Sequence, residues 1–246
     1  MSADPQGLAF DSVAEEYDRG RTGWPPEVAD GIAGDAVLDL AAGTGKLSEV
    51  LVDRFAQVIA VEPSEGMRAV LARKLPSVDV REGSAEAIPL EDGAVDAVFV
   101  GDAFHWFDPL AAGREIGRVL RPGGAAAVCF HEPRGEVQLP AEVQAVLDET
   151  LRRAGPTGTP KVRSGAWKEA FADRSAWSAL EESAVDHEVV VDREQTLATF
   201  MSMSSVARLP ASEREEIRAR FAAALPPGAQ TYGLTARVFR TMRLDG

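Results

Sequence analysis

The 246 residues predict an α/β fold with a doubly wound, Rossmann-like sheet, on three observations. The first is Val37-Leu38-Asp39-Leu40-Ala41-Ala42-Gly43-Thr44-Gly45-Lys46: a buried-type strand ending in an acid, a small-residue loop, and a helical pattern running on to Arg54. Glycines at 43 and 45 permit positive φ and close approach of a ligand, and a following helix offers free N–H groups to a polar group. The second is the strand Gln57 to Val61, which ends at Glu62. An acid there, about twenty residues past the glycines, is where such folds hold a ribose diol. The third is the continued exchange of short apolar runs with helical patterns as far as Phe130, the order that builds a parallel sheet. A nicotinamide fold would use the same acid, but its fingerprint wants a third small residue where this chain has Ser48, so that match is partial.

Composition narrows the function classes. A chain of this length forms one domain, or one domain with an elaborate lid, and buries a sizeable core. The formal net charge of −13 argues against a general nucleic-acid binder. The single cysteine, Cys129, lies in an apolar run, which leaves no disulfide framework and no thiolate metal cluster. The N-terminal residues show neither a basic nor an apolar targeting region, and no apolar run reaches bilayer length. The expectation is a cytoplasmic protein with no membrane partner.

Taken in order, Phe10 to Arg19 carries apolar residues at 10, 13, 14 and 17, one helical face. The run from Tyr17 to Pro26 is aromatic, basic and turn-rich. Glu27 to Gly34 reads as a short helix and Ala36 to Leu40 as the first strand. Ser64 caps a helix, with Glu65 in its first turn, that ends at Leu75-Pro76. Val78 to Arg81 and Val95 to Val100 are the third and fourth strands. Asp108-Pro109 opens a helix to Leu120, and Pro122-Gly123-Gly124 turns into a fifth strand, Ala125 to Phe130. Beyond it, Ala141 to Ala154 is an amphipathic helix, Gly155 to Pro160 a loop, and Trp167 to Leu180 a helix. Ala184 to Val191 and Thr231 to Met242 are two long strands. Between them lie helices at Arg193 to Met203 and Ser212 to Leu225, the second with a Ser212/Glu215 capping box. Its charged face (Glu213, Arg214, Glu216, Arg218, Arg220) reads as solvated, and His187 as structural.

The glycine loop, Glu62, Glu82-Gly83-Ser84-Ala85-Glu86-Ala87-Ile88-Pro89-Leu90, Gly93 to Val100, and Arg118-Val119-Leu120-Arg121-Pro122-Gly123-Gly124 form an ordered set. That set resembles the class I S-adenosylmethionine-dependent methyltransferases, in particular the small-molecule branch called methyltransferase type 11, over about residues 10 to 130. The resemblance implies an enzyme with a seven-stranded, mostly parallel sheet, an antiparallel last strand, an N-terminal cap helix and helical lid insertions. It divides one domain into a cap (1–34), a cofactor-binding core (35–131), and lid helices with a C-terminal strand pair (132–246).

The resemblance also implies S-adenosylmethionine as cofactor. Its binding residues here are Tyr17, Arg21, Asp39, Ala41, Gly43, Gly45, Glu62, Pro63, Met67, Ser84, Ala85, Glu86, Gly101 and Asp102. Asp39 would lie near the cofactor's amino end, or simply cap the loop. Met67 would lean on the adenine, or fill core. Ala41 replaces the family's first glycine, a change expected to be harmless with a negative φ. Ser84 stands where relatives have Asp.

Residues after the fourth strand lie on the ligand face. Trp24, Phe104, His105, Trp106 and His131 are the candidate acceptor pocket, with at least one aromatic expected to plug the sheet edge. His105 is the candidate base, because neutral imidazole is competent near neutral pH, and Tyr17 and Asp102 complete the candidate catalytic set. Asp102, His105, His131 and Glu132 are also weighed as a general-base pair, as unrelated loop residues, or as a metal site; no His-x-His or Glu-x-x-His spacing supports a metal, and none is expected. Three functions stay open: methyl transfer to a small molecule, other chemistry on the same cofactor such as cyclisation, and non-catalytic cofactor binding. Oligomeric state is left open.

Overall fold

The computed structural model describes residues 13–135, 139–154 and 165–244. Seven strands share one sheet: β1 (Ala36–Leu40), β2 (Gln57–Val61), β3 (Asp79–Arg81), β4 (Val95–Gly101), β5 (Leu120–Pro133), β6 (Glu181–Val191) and β7 (Gln230–Met242). Their order is β3-β2-β1-β4-β5-β7-β6. The first five are parallel, and β7 runs antiparallel between β5 and β6. The expected fold class is the observed one. Strand order reverses between β1 and β4, and ligands of such sheets sit outside the strand ends at that point.

Alternation of side chains across the pleat gives the sheet two buried faces. Leu38, Leu40, Ile59, Val98 and Val128 pack beneath α4 (Pro109–Val119) and the 3-10 turn Ala166–Phe171. Val37, Val58, Ala60, Phe99 and Cys129 pack beneath α2 (Ser48–Leu51), α3 (Glu65–Lys74) and the segment around Trp24. A third apolar cluster lies off the sheet. Val143 of α5 (Ala141–Ala154), Phe200 of α6 (Arg193–Met201), Val206 of α7 (Ser204–Ala207) and Phe221 of α8 (Ala211–Ala224) join there. Within it the rings of Phe200 and Phe221 stack 4.3 Å apart. These helices therefore have a core of their own.

α1 (Ala14–Gly20) connects the two bodies. Its last residue lies so close to α6 that a Cβ on Gly20 would sit 2.4 Å from the Thr199 backbone nitrogen. The Thr199 hydroxyl donates to the Gly20 carbonyl at 2.6 Å. On its other side α1 is bolted to the glycine loop and α3, where Asp18 takes Lys74 at 2.5 Å and Lys46 at 3.6 Å.

Several expected elements are shorter or differently built. The helix expected from Lys46 is only the four residues of α2, and Glu27 to Gly34 is a 3-10 turn, Pro26–Ala29, stopped before the positive-φ glycines 31 and 34. Trp167 to Leu180 is the Ala166–Phe171 turn followed by a bridge from Trp177 to Arg243, because Trp167 and Trp177 are drawn separately into the sheet-face core. β5 absorbs the expected Pro122-Gly123-Gly124 turn as an irregularity facing β4. Ser212 lies inside α8 rather than capping it; Pro210, extended, occupies the cap position. The α8 charges are not merely solvated: Arg218 pairs with Glu16, and Arg220 grips Glu149 through two bonds of 2.6 and 2.9 Å. Residues 10–12 of the expected first helix and the 155–160 loop lie outside the described residues.

Candidate active site

The tips of β1, β2 and β4 carry three acids, Asp39, Glu62 and Asp102, and α1 lies across them. The backbone that presents them is unusual at two non-glycine positions. Ala41 has φ 57° and Asp102 φ 50°, beside Gly43 at 58° and Gly45 at 86°. The glycines behave as the sequence predicts. Ala41 does not: its φ is positive, so its methyl is carried in a left-handed conformation that costs an L-residue about 1–2 kcal/mol. The condition under which the alanine was expected to be harmless is therefore not met. Such strain persists where the surroundings over-determine it, and it clusters at functional sites.

Glu62 is 7% exposed and fastens the loop from below. Its Oε2 accepts from the Gly43 N–H and its Oε1 from the Ser64 N–H, both at 2.9 Å. Asp39, 1% exposed, accepts from the Ser48 hydroxyl at 2.6 Å. Burial pushes its carboxyl up to about 7; the Ser48 hydroxyl and backbone N–H pull it down, and nearby Glu62 pushes it up further. The cap reading of Asp39 is thus present in the fold. α2, in contrast, offers little to a ligand: Asp39 already takes the Ser48 N–H, and Glu49 donates to the Gly45 carbonyl.

Tyr17 leans over this loop, its ring edge 3.8 Å from where a Gly43 Cβ would stand. The Arg21 guanidinium lies 4.8 Å over the ring. Desolvation holds the Tyr17 hydroxyl protonated above its ordinary range; Arg21 opposes this, and Asp102 and Glu62 add to it. Tyr17, Arg21, Glu62 and Asp102 are thus brought near one another.

The remaining predicted residues divide. Met67 is 3% exposed and packs with Ala14, Val70 and Tyr17, and Ser64 caps α3 by accepting the Met67 N–H. The Pro63 carbonyl, beside Glu62, is held by Arg68 at 2.7 Å. Ser84 bridges to Ala87, Ala85 is buried, and Glu86 accepts the Asp108 N–H that opens α4. Gly101 is covered by Trp24, whose ring a Cβ there would meet at 3.1 Å. Phe104, 1% exposed among Phe107, Trp167 and Phe171, is core rather than pocket wall: it is the aromatic that plugs the sheet edge. His105 and Trp106 stay half-buried, rings 4.8 Å apart, in the 3-10 turn Phe104–Trp106.

Asp102 serves His131. Its Oδ1 accepts the His131 backbone N–H and its Oδ2 meets His131 Nδ1, each at 2.9 Å. Trp24 stacks on the His131 ring at 3.8 Å, and His187, expected to be only structural, brings its ring to 5.6 Å. Sequence reasoning set Asp102 beside His105 and did not single out the pairing with His131. It also missed Asp18, Lys46, Lys74 and Thr199, which hold α1 in place through partners distant in the chain and so leave no local pattern. Among the described residues no group of three or more His, Cys, Asp or Glu could hold a metal ion.

Acids gathered at neighbouring strand tips, two of them buried, suit a ligand that brings its own positive charge. Glu62 stands at the tip of β2, where such folds hold a ribose diol. Both features fit the sulfonium cofactor that the resemblance implies.

Comparison with known proteins agrees. The family model described as a methyltransferase domain matches residues 38–128. An uncharacterized methyltransferase of Schizosaccharomyces pombe is 31% identical over 221 residues, 87% of this chain and 85% of its own length. One from Mycobacterium tuberculosis is 50% identical over 127 residues, 50% of this chain and 52% of its own, so the match spans about half of that relative. The demethylmenaquinone methyltransferase of Renibacterium salmoninarum is 36% identical over 166 residues, 62% of this chain and 68% of its own. A solved structure from Anaeromyxobacter dehalogenans, assigned to the type II methyltransferases, superposes with a TM-score of 0.61 at 26% identity, covering 92% of this chain and 99% of that one. With the motif order, the sheet topology and these relatives in agreement, the chain belongs to the class I S-adenosylmethionine-dependent methyltransferase family.

Proposed function

We propose that this protein transfers the methyl group of S-adenosylmethionine to a small-molecule acceptor, acting as a single domain in the cytoplasm. The observation that carries the reading is the cluster of acids at the β1, β2 and β4 tips, with Tyr17 and Arg21 beside it. In it Glu62 takes the ribose hydroxyls, Asp39 the amino group, and Tyr17 with Arg21 the carboxylate. Pro63, Met67 and the Ser84-Ala85-Glu86 loop take the adenine side, with Gly43, Gly45 and Gly101 leaving room for the backbone to approach. When bound, the cofactor supplies an activated methyl group, so the protein's work is alignment and exclusion of water. Alignment alone is worth roughly 7–11 kcal/mol of barrier. Trp24, His105, Trp106 and His131 face the acceptor. A small acceptor is supported by the menaquinone-precursor enzyme among the relatives and by the net charge of −13, which suits no polyanion.

The test is direct. Calorimetry is expected to show binding of S-adenosylhomocysteine and none of NAD. Incubation of protein and isotopically labelled S-adenosylmethionine with a bacterial metabolite extract is expected to release S-adenosylhomocysteine and a labelled small product. Binding of NAD alone would overturn the cofactor assignment. Methylthioadenosine in place of S-adenosylhomocysteine, or no turnover despite binding, would overturn methyl transfer.

A further inference from the structure

His131 is more elaborately held than any wall residue of a cleft needs to be. Its backbone N–H and its Nδ1 both meet the Asp102 carboxylate at 2.9 Å. Asp102 reaches it only by adopting φ 50°, a conformation disfavoured for a residue with a side chain. Trp24 stacks on the ring at 3.8 Å and fixes its plane. With Asp102 as acceptor, the ring proton resides on Nδ1, and Nε2 carries the lone pair. That Nε2 is buried and has no hydrogen-bond partner among the described residues. A buried nitrogen without a partner is costly, and one in a native site calls for an explanation. Strained support, fixed tautomer and an unspent lone pair are the parts of a general base.

We infer that His131, positioned by Asp102, is the base that deprotonates the methyl acceptor, and that the acceptor atom is therefore a hydroxyl or amine bearing a proton rather than a carboxylate. This rests on the methyl-transfer reading and deepens it. In the step, the acceptor's bond to hydrogen breaks with the proton passing to Nε2, while the acceptor atom forms its bond to the methyl carbon that the sulfonium donor releases. The donor leaves as a neutral thioether, and its positive charge reappears on the imidazolium, where the Asp102 carboxylate faces it. A carboxylate acceptor carries no such proton and gives this dyad nothing to do. Among the described residues, Tyr17 of α1 and Cys129 of β5 act electrostatically on Asp102 and His187 of β6 on His131, with Arg21 over Tyr17, Glu27 acting on His187, and Glu132, paired with Arg237, next to His131 in the chain. Burial holds the Cys129 thiol far above its ordinary range and, as the leading cause, His187 below its own, so neither competes as a charged group at neutral pH.

Two measurements test the inference on the whole chain. The first needs no acceptor: 15N-histidine NMR with saturating S-adenosylhomocysteine. His131 is expected to hold its proton on Nδ1 with Nε2 bare at neutral pH. Asp102→Asn is expected to reverse that tautomer. The amide oxygen must stay on the His131 backbone N–H, which turns the amide nitrogen toward Nδ1 as a donor. A wild-type His131 protonated on Nε2 would overturn the inference whatever the acceptor. The second measurement compares wild type and His131→Gln on labelled turnover of a metabolite extract. Turnover by the variant is expected to fall roughly 10²–10⁴-fold and to lose the acidic limb of its pH profile, with affinity for S-adenosylhomocysteine within threefold. Products methylated on oxygen or nitrogen that had carried a proton support the inference. A methyl ester as product, or a variant with the wild-type rate and pH profile, overturns it. Loss of S-adenosylhomocysteine binding by the wild type would instead overturn the functional reading beneath it, a distinguishable failure.

Discussion

Asp39→Asn removes a buried charge from beneath the glycine loop, and its effect on stability can be worked from the structure. In the folded protein the Asp39 carboxyl is pushed up to about 7 from an ordinary 3.8, with burial as the main cause. Between those values the folded chain binds a proton that the unfolded chain has released, so stability falls as pH rises. The contribution is complete below about pH 4 and lost above about pH 7. A gap of roughly three pH units at ~1.36 kcal/mol each gives ~4 kcal/mol. Asparagine has the same shape, its carbonyl oxygen can still accept from the Ser48 hydroxyl, and it does not titrate. The variant is therefore expected to match wild type near pH 4 and to exceed it by up to ~4 kcal/mol at pH 8, roughly 8–16 °C in Tm for a chain of this size. The difference between the two proteins is the quantity to follow. Asp18, Asp96 and Glu115, whose carboxyls are held below their ordinary range, have the opposite pH dependence and cancel in it. Thermal or urea unfolding from pH 4 to 8 reads it out. A difference that stays flat over that range, or an asparagine variant less stable at pH 8, refutes the reasoning. The gain in stability is expected to accompany weaker binding of S-adenosylhomocysteine, because the carboxylate removed is the one proposed to meet the ligand's amino group.

Glu62→Ala leaves the N–H groups of half-buried Gly43 and buried Ser64 without their acceptor. It is expected to lower stability by about 2–4 kcal/mol and cofactor affinity by a further ~1.5–3 kcal/mol, read by urea unfolding and calorimetry; unchanged stability would mean that the loop does not depend on that carboxylate. Gly20→Ala places a methyl against the Thr199 backbone and is expected to cost about 1–3 kcal/mol. Amide exchange in α1 should rise in the variant, whereas in wild type the segment from Tyr17 to Trp24 should slow when S-adenosylhomocysteine binds. Equal protection in both proteins would show that α1 docks without that joint.

The parts of the molecule legible in the sequence are those whose signal is local. β1, β2 and β4 are short apolar runs, and the loop glycines, the Ser64 and Asp108 caps and the acids at the strand tips sit where fixed spacings put them. What escaped is tertiary. Nothing near Asp102 in the chain says that it will turn through a positive φ to meet a histidine 29 positions on. Its neighbour His105, three residues away, was the natural partner by spacing. Trp167 and Trp177 belong to one helical pattern on paper, but packing against Phe104, Phe130 and Phe239 uses Trp167 in a 3-10 turn and leaves Trp177 to a bridge. Ala41 reads as an innocuous loop residue because composition does not reveal the sign of φ.

The joint between Gly20 and Thr199 spans 179 positions of chain, and this sets an order of events during synthesis. A ribosome adding about 5–20 residues per second needs roughly 10–40 seconds to go from one partner to the other. Throughout that interval α1 has its loop but not its buttress. The sheet waits too: β7 must be made last and then slip between β5 and β6, which otherwise do not touch. Until it arrives β5 presents an open edge, the kind of surface on which strands of different chains pair. The nascent protein is consequently most vulnerable to aggregation in the interval before β7 emerges, when the glycine loop has long been complete, and ligand capture by that loop in the interval would shelter a fold whose seventh strand is still missing.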